Sequence, residues 1–329
     1  MTAKAGTRSG THEPGHKPRL GVSTCLLGEN VRYDGTEKSD PLLLKAFADH
    51  VEWVPVCPEV ECGMTVPRDP MHLAGDPSSP RLVTTATGDD QTERMRTWIR
   101  SRLDDLARED LWGFVLKSRS PSCGTRAVPV LDARGAKTGE VAGLFAAAVG
   151  ERFPLLPVAD ERSLRDAAEW DGFIERLFCL KRYRDSMRPR RSRESLVAFH
   201  AAHELQLMAH GPSVLREMGE LVAHSKELPL DELSVRYEEL LRTAMELAAT
   251  PAKNADVLLH VLGLLERYLS PDERQEALAL IEEYRGGNAP LSLPVTLLGH
   301  HIGKCGVEYL DSQSYFDPHP VAFRLRERS

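Results

Sequence analysis

The sequence predicts an α/β domain with a mostly parallel sheet, followed by an all-α domain. Three observations predict it. In the first half short apolar runs alternate with helical patterns, the signature of strand–helix–strand units. From Leu164 onward nearly every segment has the 3.6-residue period of an amphipathic helix. The chain has 329 residues, more than one hydrophobic core usually serves.

In chain order, Arg19–Ser23 reads as a strand, Pro41–His50 as a helix and Val51–Val56 as a second strand. Thr92–Glu109 has helical spacing through Met95, Trp98, Ile99, Leu103 and Leu106. Leu111–Leu116 is a third strand, Val141–Val149 a buried helix and Leu155–Val158 a short fourth strand. Strands separated by helices imply right-handed crossovers. The second half reads as helices over Leu164–Leu180, Arg193–His210, Val214–Ala223, Leu230–Ala249, Ala255–Leu269 and Asp272–Arg285, with Pro251, Pro271 and Pro290 between them. Beyond Pro290 the helical period weakens. This divides the chain into a disordered tail (1–18), a catalytic domain (19–160), a helix with a basic linker (161–193) and a helical domain (194–329).

Apolar residues make up 41% and charged residues 28% of the chain, as in soluble globular proteins. No stretch has the apolar length of a membrane span, and the first nineteen residues lack the apolar core of a signal peptide. The expectation is a cytoplasmic protein with reduced thiols. A net charge of −7 disfavours binding of nucleic acid over the whole surface but leaves room for a local basic patch.

Of the six cysteines, Cys25, Cys57 and Cys123 each follow directly on a predicted strand. In an open α/β sheet the carboxyl ends of the strands form one rim, where ligands bind, so three thiols distant in sequence can converge there. Structural zinc usually takes four ligands with close pairs such as C-x₂-C, and that spacing is absent here. A [4Fe–4S] cluster held by three thiolates would keep one iron open for a soft sulfur. Buried, inert cysteines are the plain alternative. Cys62 is a conceivable fourth ligand, but a fully ligated cluster is a poor Lewis acid. Cys179 reads as core, and Cys305 has no assignment.

Ser23-Thr-Cys-Leu-Leu-Gly28 with Val31-Arg-Tyr-Asp-Gly35, Cys57-Pro-Glu59 with Pro67-Arg68, and Lys117-Ser-Arg-Ser-Pro-Ser-Cys-Gly124 together resemble the thiouracil desulfidase (TudS) family, over roughly Leu20–Asp160. The resemblance implies a three-cysteine [4Fe–4S] cluster with an open iron on Cys25, Cys57 and Cys123, Glu59 as the acid/base carboxylate and Ser120 as an assisting hydroxyl. Leu196-Val-Ala-Phe-His200, His203 and Leu207-Met-Ala-His210 resemble, more loosely, the uncharacterised helical domain fused to such proteins. Both halves together resemble the RNA desulfidase (RudS) arrangement, which implies 4-thiouridine in tRNA as substrate and a helical domain that engages RNA.

The chemistry is consistent with those roles. Exchange of C=S for C=O needs an activated water, a sulfur acceptor and proton transfers. A carboxylate two residues from a ligand is within reach of bound substrate, although a surface carboxylate would look the same in sequence. Arg32, Tyr33, Asp34, Arg68 and Lys117 are candidates to orient the base or a phosphate. Lys181–Arg193 carries seven basic residues (Lys181, Arg182, Arg184, Arg188, Arg190, Arg191, Arg193) and one acid, a candidate phosphate contact with Tyr183 available to stack; a solvated linker is the alternative. His200, His203 and His210 share a helix face, most simply as hydrogen-bonded core histidines rather than metal ligands. The expected activity is desulfuration of thiolated uridine in tRNA. The alternatives are a desulfidase of free thiopyrimidines and a non-catalytic iron–sulfur protein that binds RNA or senses redox state.

Overall fold

A computed structural model describes residues 17–188 and 190–320. Most of the expected tail, 1–16, lies outside the described residues, as do Pro189 and 321–329. The elements are β1 (Arg19–Ser23), α1 (Pro41–Phe47), β2 (Glu52–Val56), α2 (Pro58–Glu61), β3 (Met71–Asp76), β4 (Ser79–Thr84), α3 (Thr92–Leu106), β5 (Gly113–Leu116), β6 (Val128–Leu131), β7 (Lys137–Val141), α4 (Leu144–Arg152) and β8 (Val158–Asp160). Helices follow: α5 (Ala167–Ser186), α6 (Arg193–His210), α7 (Pro212–Ala223), α8 (Leu230–Glu246), α9 (Pro251–Leu264), α10 (Pro271–Arg285), α11 (Ser292–Cys305) and α12 (Glu308–Asp311).

The main sheet has the order β2-β1-β5-β8, and every pairing in it is parallel. Its strands alternate inward residues between two cores, as the period of two dictates. Val54, Val56, Phe114 and Leu116 pack with α3 and α4 through Met95, Ile99, Phe145 and Val149. Leu20, Val22 and Val115 pack on the other face with Leu43 and Phe47 of α1 and with α5. The sheet is therefore covered on both sides, as parallel sheets require.

A second sheet, β4-β3-β6-β7, was not anticipated from the sequence. Its hairpins are short and half-exposed, with only Leu73, Leu82, Val128 and Val130 fully inward, so they lack the apolar run that marks a buried strand. The predicted helix from Val141 is corrected in the same way: Val141 ends β7, and the helix starts at Leu144. The fourth strand is also displaced, to Val158–Asp160. Beyond Pro290 the chain remains helical, as α11 and α12.

The expected linker is corrected more substantially. Residues Lys181–Ser186 are the last turns of α5, a 20-residue helix whose N-cap Asp166 accepts the amides of Ala168 and Glu169. One side of α5 places Trp170, Phe173, Ile174, Leu177 and Phe178 in the core of the parallel sheet. The other places Cys179 and Tyr183 in the core of α6–α8 with Leu196, Phe199, Met218 and Tyr237. Each such side chain contributes about 1.5–3 kcal/mol on burial, so α5 is a shared wall of two cores and no tether. Gly113 exists because of this contact: a Cβ there would lie 2.3 Å from Leu177 Cδ2 and 3.0 Å from the Pro157 carbonyl.

Gly113→Ala should therefore destabilise the protein by about 1–3 kcal/mol, the usual cost of overpacking. The check is the urea midpoint of the full chain; an unchanged midpoint would mean that α5 gives way easily and is not integral to the sheet's core.

Candidate active site

All four parallel strands end on one edge, and each delivers part of a single site. Beyond β1 a 3₁₀ turn (Thr24–Leu27) carries Cys25. Beyond β2, Cys57 is the N-cap of α2, with Pro58 in the first turn and Glu59 next. Beyond β5 runs the loop Lys117–Ala127 with Cys123, and beyond β8 comes Glu161. Because β2 and β5 both pair with β1, the three cysteine loops are neighbours. Cys25, Cys57 and Cys123 line one cavity of about 820 Å³, together with Glu59, Arg68, Lys117, Ser120 and Glu161.

The Cys123 loop is fixed by the start of α4. The first amides of a helix have no partner within it. Here Leu144 N–H donates to Pro121 O at 3.1 Å and Phe145 N–H to Ser122 O at 2.9 Å. Gly143 allows this approach, since a Cβ there would lie 2.6 Å from the Ser122 carbonyl carbon. Ser120 Oγ accepts the amides of Ser122 (3.2 Å) and Cys123 (3.1 Å), and Ser120 lines the cavity. Arg119 takes a left-handed φ of 60°, unusual for arginine, at the exposed turn of this loop.

Glu59 joins the loops. Its Oε2 accepts Arg68 Nε at 2.9 Å and also Arg68 Nη2, and its Oε1 accepts Ser122 Oγ at 3.0 Å. The pair is well buried, with side chains 14% and 8% exposed. Ser122, fully buried, was not singled out by the sequence; only adjacency to Cys123 hinted at it. Glu161 was missed outright. It accepts Ser118 N at 2.7 Å, Ser118 Oγ at 2.7 Å and Lys117 Nζ, and so fixes the ammonium of Lys117 at the cavity wall. Arg32 and Tyr33 line the cavity, the guanidinium 5.5 Å from the ring centroid, whereas Asp34 turns away to Thr36 and is not in the lining.

The three thiols suit a cationic iron–sulfur group. All are free, and burial raises each. Cys25 is pushed up to about 11 by burial and then by Cys57, and Cys123 lies well above the usual thiol range from burial, with the charges of Glu59, Cys25 and Cys57 adding to it. Thiols so placed ionise when a metal supplies the missing positive charge. Among the described residues no three His, Cys, Asp or Glu side chains cluster tightly enough to grip a single ion; the three cysteines share the lining of the 820 Å³ cavity. Cys62 is outside this lining and donates to Glu59 O at 3.2 Å. Cys179 and Cys305 lie with the helical cores.

Residues 20–161 match the family model described as 2-thiouracil desulfurase. The uncharacterized protein YbbK of Bacillus subtilis (strain 168) is 31% identical over 109 residues, 32% of this chain and 72% of that protein. The chain belongs to the 2-thiouracil desulfurase family. Residues 204–320 match a second model, a protein of unknown function (DUF1722). The uncharacterized protein YbgA of Escherichia coli (strain K12) is 28% identical over 157 residues, 47% of this chain and 93% of that protein. A solved structure titled [4Fe-4S]-dependent thiouracil desulfidase TudS is 30% identical, covering 45% of this chain and 94% of that one, with a TM-score of 0.37.

Outside the desulfurase domain, the basic stretch is largely committed to the protein itself. Arg182 donates to His203 Nε2 (2.8 Å), Pro318 O (2.6 Å) and Gln206 Oε1 (3.3 Å). Arg184 holds Leu111 O, and Arg193 holds Ser225 O and Leu228 O. Lys181 pairs with Asp185, Arg188 with Asp110, and Arg191 with Asp231 and Glu238. Arg190 is exposed, with Glu194 as a nearby charge. Tyr183 is buried and donates to Glu238, so it cannot stack on a base. His203 and His210 are buried, and His200, half-buried, lies 3.3 Å from Tyr237 OH. His203, between Phe199 and Arg182, is pushed down to about 3 by burial and the adjacent cation. Burial works against charge on His210 too, but Glu175 at 3.2 Å outweighs it and holds His210 above the usual range. A larger cavity of about 1320 Å³ lies between α5 and α11, with no cysteine in its described lining.

Removing Glu161 would leave the Lys117 ammonium with only Ser118 O and Oγ, both at 3.1 Å, and no counter-charge, and would leave the Ser118 amide without its acceptor. Glu161→Ala should cost about 3 kcal/mol, the lower end for breaking a buried pair, because the Lys117 side chain keeps 20% exposure. Glu161→Gln should cost less. Equal urea midpoints for both variants and the parent protein would show that the pair is not part of the folded site.

Proposed function

We propose that this chain is an enzyme that removes sulfur from a thiolated pyrimidine, using a [4Fe–4S] cluster held by Cys25, Cys57 and Cys123. The observation that carries this reading is the convergence of three thiols, two buried and one half-buried, and one tethered carboxylate on a single cavity. The family name supports the substrate class. Bound there, the cluster would supply a Lewis-acidic iron, free of protein ligand, for a soft sulfur.

The chain's own residues account for the rest. Water replaces the thiocarbonyl sulfur: a C–O bond forms, the C–S bond breaks, and sulfur leaves with the electron pair as hydrosulfide. Carbon keeps its oxidation level, so neither oxidant nor reductant is consumed. Glu59 Oε1 keeps a lone pair beyond its bond from Ser122 and takes the proton of the attacking water. Ser120 Oγ, its acceptor sites taken by two amides, is the hydroxyl available to donate to the pyrimidine. Lys117 presents positive charge where negative charge leaves. The Tyr33 ring, 41% exposed at the cavity, offers a face for stacking.

The finer reading is 4-thiouridine in tRNA. Exposed Lys38, Arg119 and Arg162 at the cavity's edge favour it, because their side chains have no partner among the described residues and suit backbone phosphate. Free thiopyrimidine is the second reading, favoured by the internal use of Arg182, Arg184 and Arg193.

Anaerobically prepared protein should hold about four irons per chain. Cys25→Ser, Cys57→Ser and Cys123→Ser should each lose them, while Cys62→Ser, Cys179→Ser and Cys305→Ser should not. Glu59→Gln should keep the iron and lose roughly 10²–10⁴-fold in turnover, the span of general acid–base catalysis. Stoichiometric zinc without iron, or near-normal turnover of iron-replete Glu59→Gln, would contradict the assignment.

Substrate size is tested separately by changing Arg119, Arg162, Arg188 and Arg190 to Glu, which leaves the internal arginines in place. KM for thiolated tRNA should rise steeply and depend on salt, with KM for 2-thiouracil unchanged. Equal effects on both substrates would favour the free base.

A further inference from the structure

We infer that Arg68 is a positioning residue that aims the Glu59 carboxylate and does not itself bind substrate. This rests on the role of Glu59 proposed above. Sequence alone offers Arg68 as a hand for a base or a phosphate, since an arginine beside a site is usually read that way. Its surroundings assign its donors elsewhere.

Nε and Nη2 both point to Glu59 Oε2, the first at 2.9 Å. Nη2 also donates to Val31 O at 3.0 Å, and Nη1 to Thr65 O at 3.2 Å. A guanidinium has five N–H bonds in a rigid plane, and four are engaged here by protein oxygens. The Arg68 backbone amide donates to Tyr33 O at 2.8 Å, so the residue is anchored at both ends to the segment that follows the Cys25 turn. Only 8% of the side chain is exposed, too little to meet a phosphate.

The carboxylate receives a different treatment on each oxygen. Oε2 is occupied by two donors of Arg68, whereas Oε1 has one bond, from Ser122, and keeps a free lone pair in a residue that lines the cavity. Two charge-assisted contacts on Oε2 fix the place of the carboxylate, and the Ser122 bond to Oε1 fixes its plane. A lysine has a single nitrogen and cannot reproduce the fork. A misplacement of about 1 Å at a catalytic group costs on the order of 10²-fold in rate.

The experiment is a double-mutant cycle in the iron-loaded full chain with 2-thiouracil as substrate. It compares the parent protein, Arg68→Lys, Glu59→Gln and the double variant. Iron content and the KM–kcat split are read for each. Arg68→Lys keeps the positive charge that a buried Glu59 requires, so the fold and the iron should persist. Its kcat should fall by about 10–10²-fold, with KM within about threefold. The double variant should be no slower than Glu59→Gln alone, because Arg68 acts only through Glu59. Adding guanidinium ion to Arg68→Ala should restore part of kcat. Three outcomes overturn the inference: additive losses in the double variant, a raised KM with kcat intact, or loss of iron from Arg68→Lys, which would make Arg68 a scaffold for the cysteines. A normal rate for Glu59→Gln would instead overturn the catalytic role of Glu59 itself, and the two failures are thereby told apart.

Discussion

The ion pair of Glu59 and Arg68 ties together the segments that bear the three cysteines. Glu59 belongs to the turn after β2, Arg68 is bonded to the segment after the Cys25 turn, and Ser122, the partner of Glu59 Oε1, precedes Cys123. Each segment leaves the sheet at a different strand, and the short turns that shape each one locally do not by themselves join it to the others. A buried carboxylate and guanidinium join them, because either alone would be left as an uncompensated charge at a cost of several kcal/mol. The same contacts shape the cavity wall, so the fold of the loops and the chemistry proposed for them depend on one set of atoms. It follows that Glu59→Gln should lower stability as well as turnover, which is why iron content must accompany any rate measured on it.

The second constraint is α5. It closes the parallel sheet with Phe173, Ile174 and Leu177 and opens the helical domain with Cys179 and Tyr183. Arg182 on its far side meets His203 and Gln206 of α6, and Gln206 in turn donates to Glu175. This polar seam, with the carbonyls held by Arg184 and Arg193, accounts for the buried part of the basic run without a ligand. Charge segregation in a sequence has two physical origins, contact with an external anion and pairing across an internal interface, and they look alike until partners are known.

The legible parts of the sequence were those governed by period and by strand ends. The β1, β2 and β5 strands are apolar runs bounded by Gly, Pro or Cys, and the rule that ligands sit beyond the carboxyl ends of parallel strands brought Cys25, Cys57 and Cys123 together before any coordinates. Helix α6 was placed over the residues it occupies, Arg193–His210, because its apolar positions recur at the helical period; the structure adds its cap, Ser192, whose side chain accepts the Ser195 amide. The hairpins of the second sheet were not legible, since Gly75, Pro80 and Gly139 dilute their pattern and one face is wet. Nor were Ser122 and Glu161. Their importance comes from partners 63 and 43 residues away in sequence, and no local spacing encodes such a distance. The burial of Tyr183 was hidden for the same reason, since its neighbours Phe199 and Tyr237 arrive from other helices.

The central claim is that Cys25, Cys57 and Cys123 hold an iron–sulfur cluster with one iron free to meet substrate sulfur. Mössbauer spectroscopy of the full chain, loaded anaerobically with ⁵⁷Fe, tests it most directly. One iron site in four should differ from the rest, and its signal alone should change when 2-thiouracil is added, while 2-thiouracil added to a Cys57→Ser preparation should find no such site. Four irons that remain unchanged on addition of the thiopyrimidine, or a spectrum without cluster iron in the parent protein, would contradict the account.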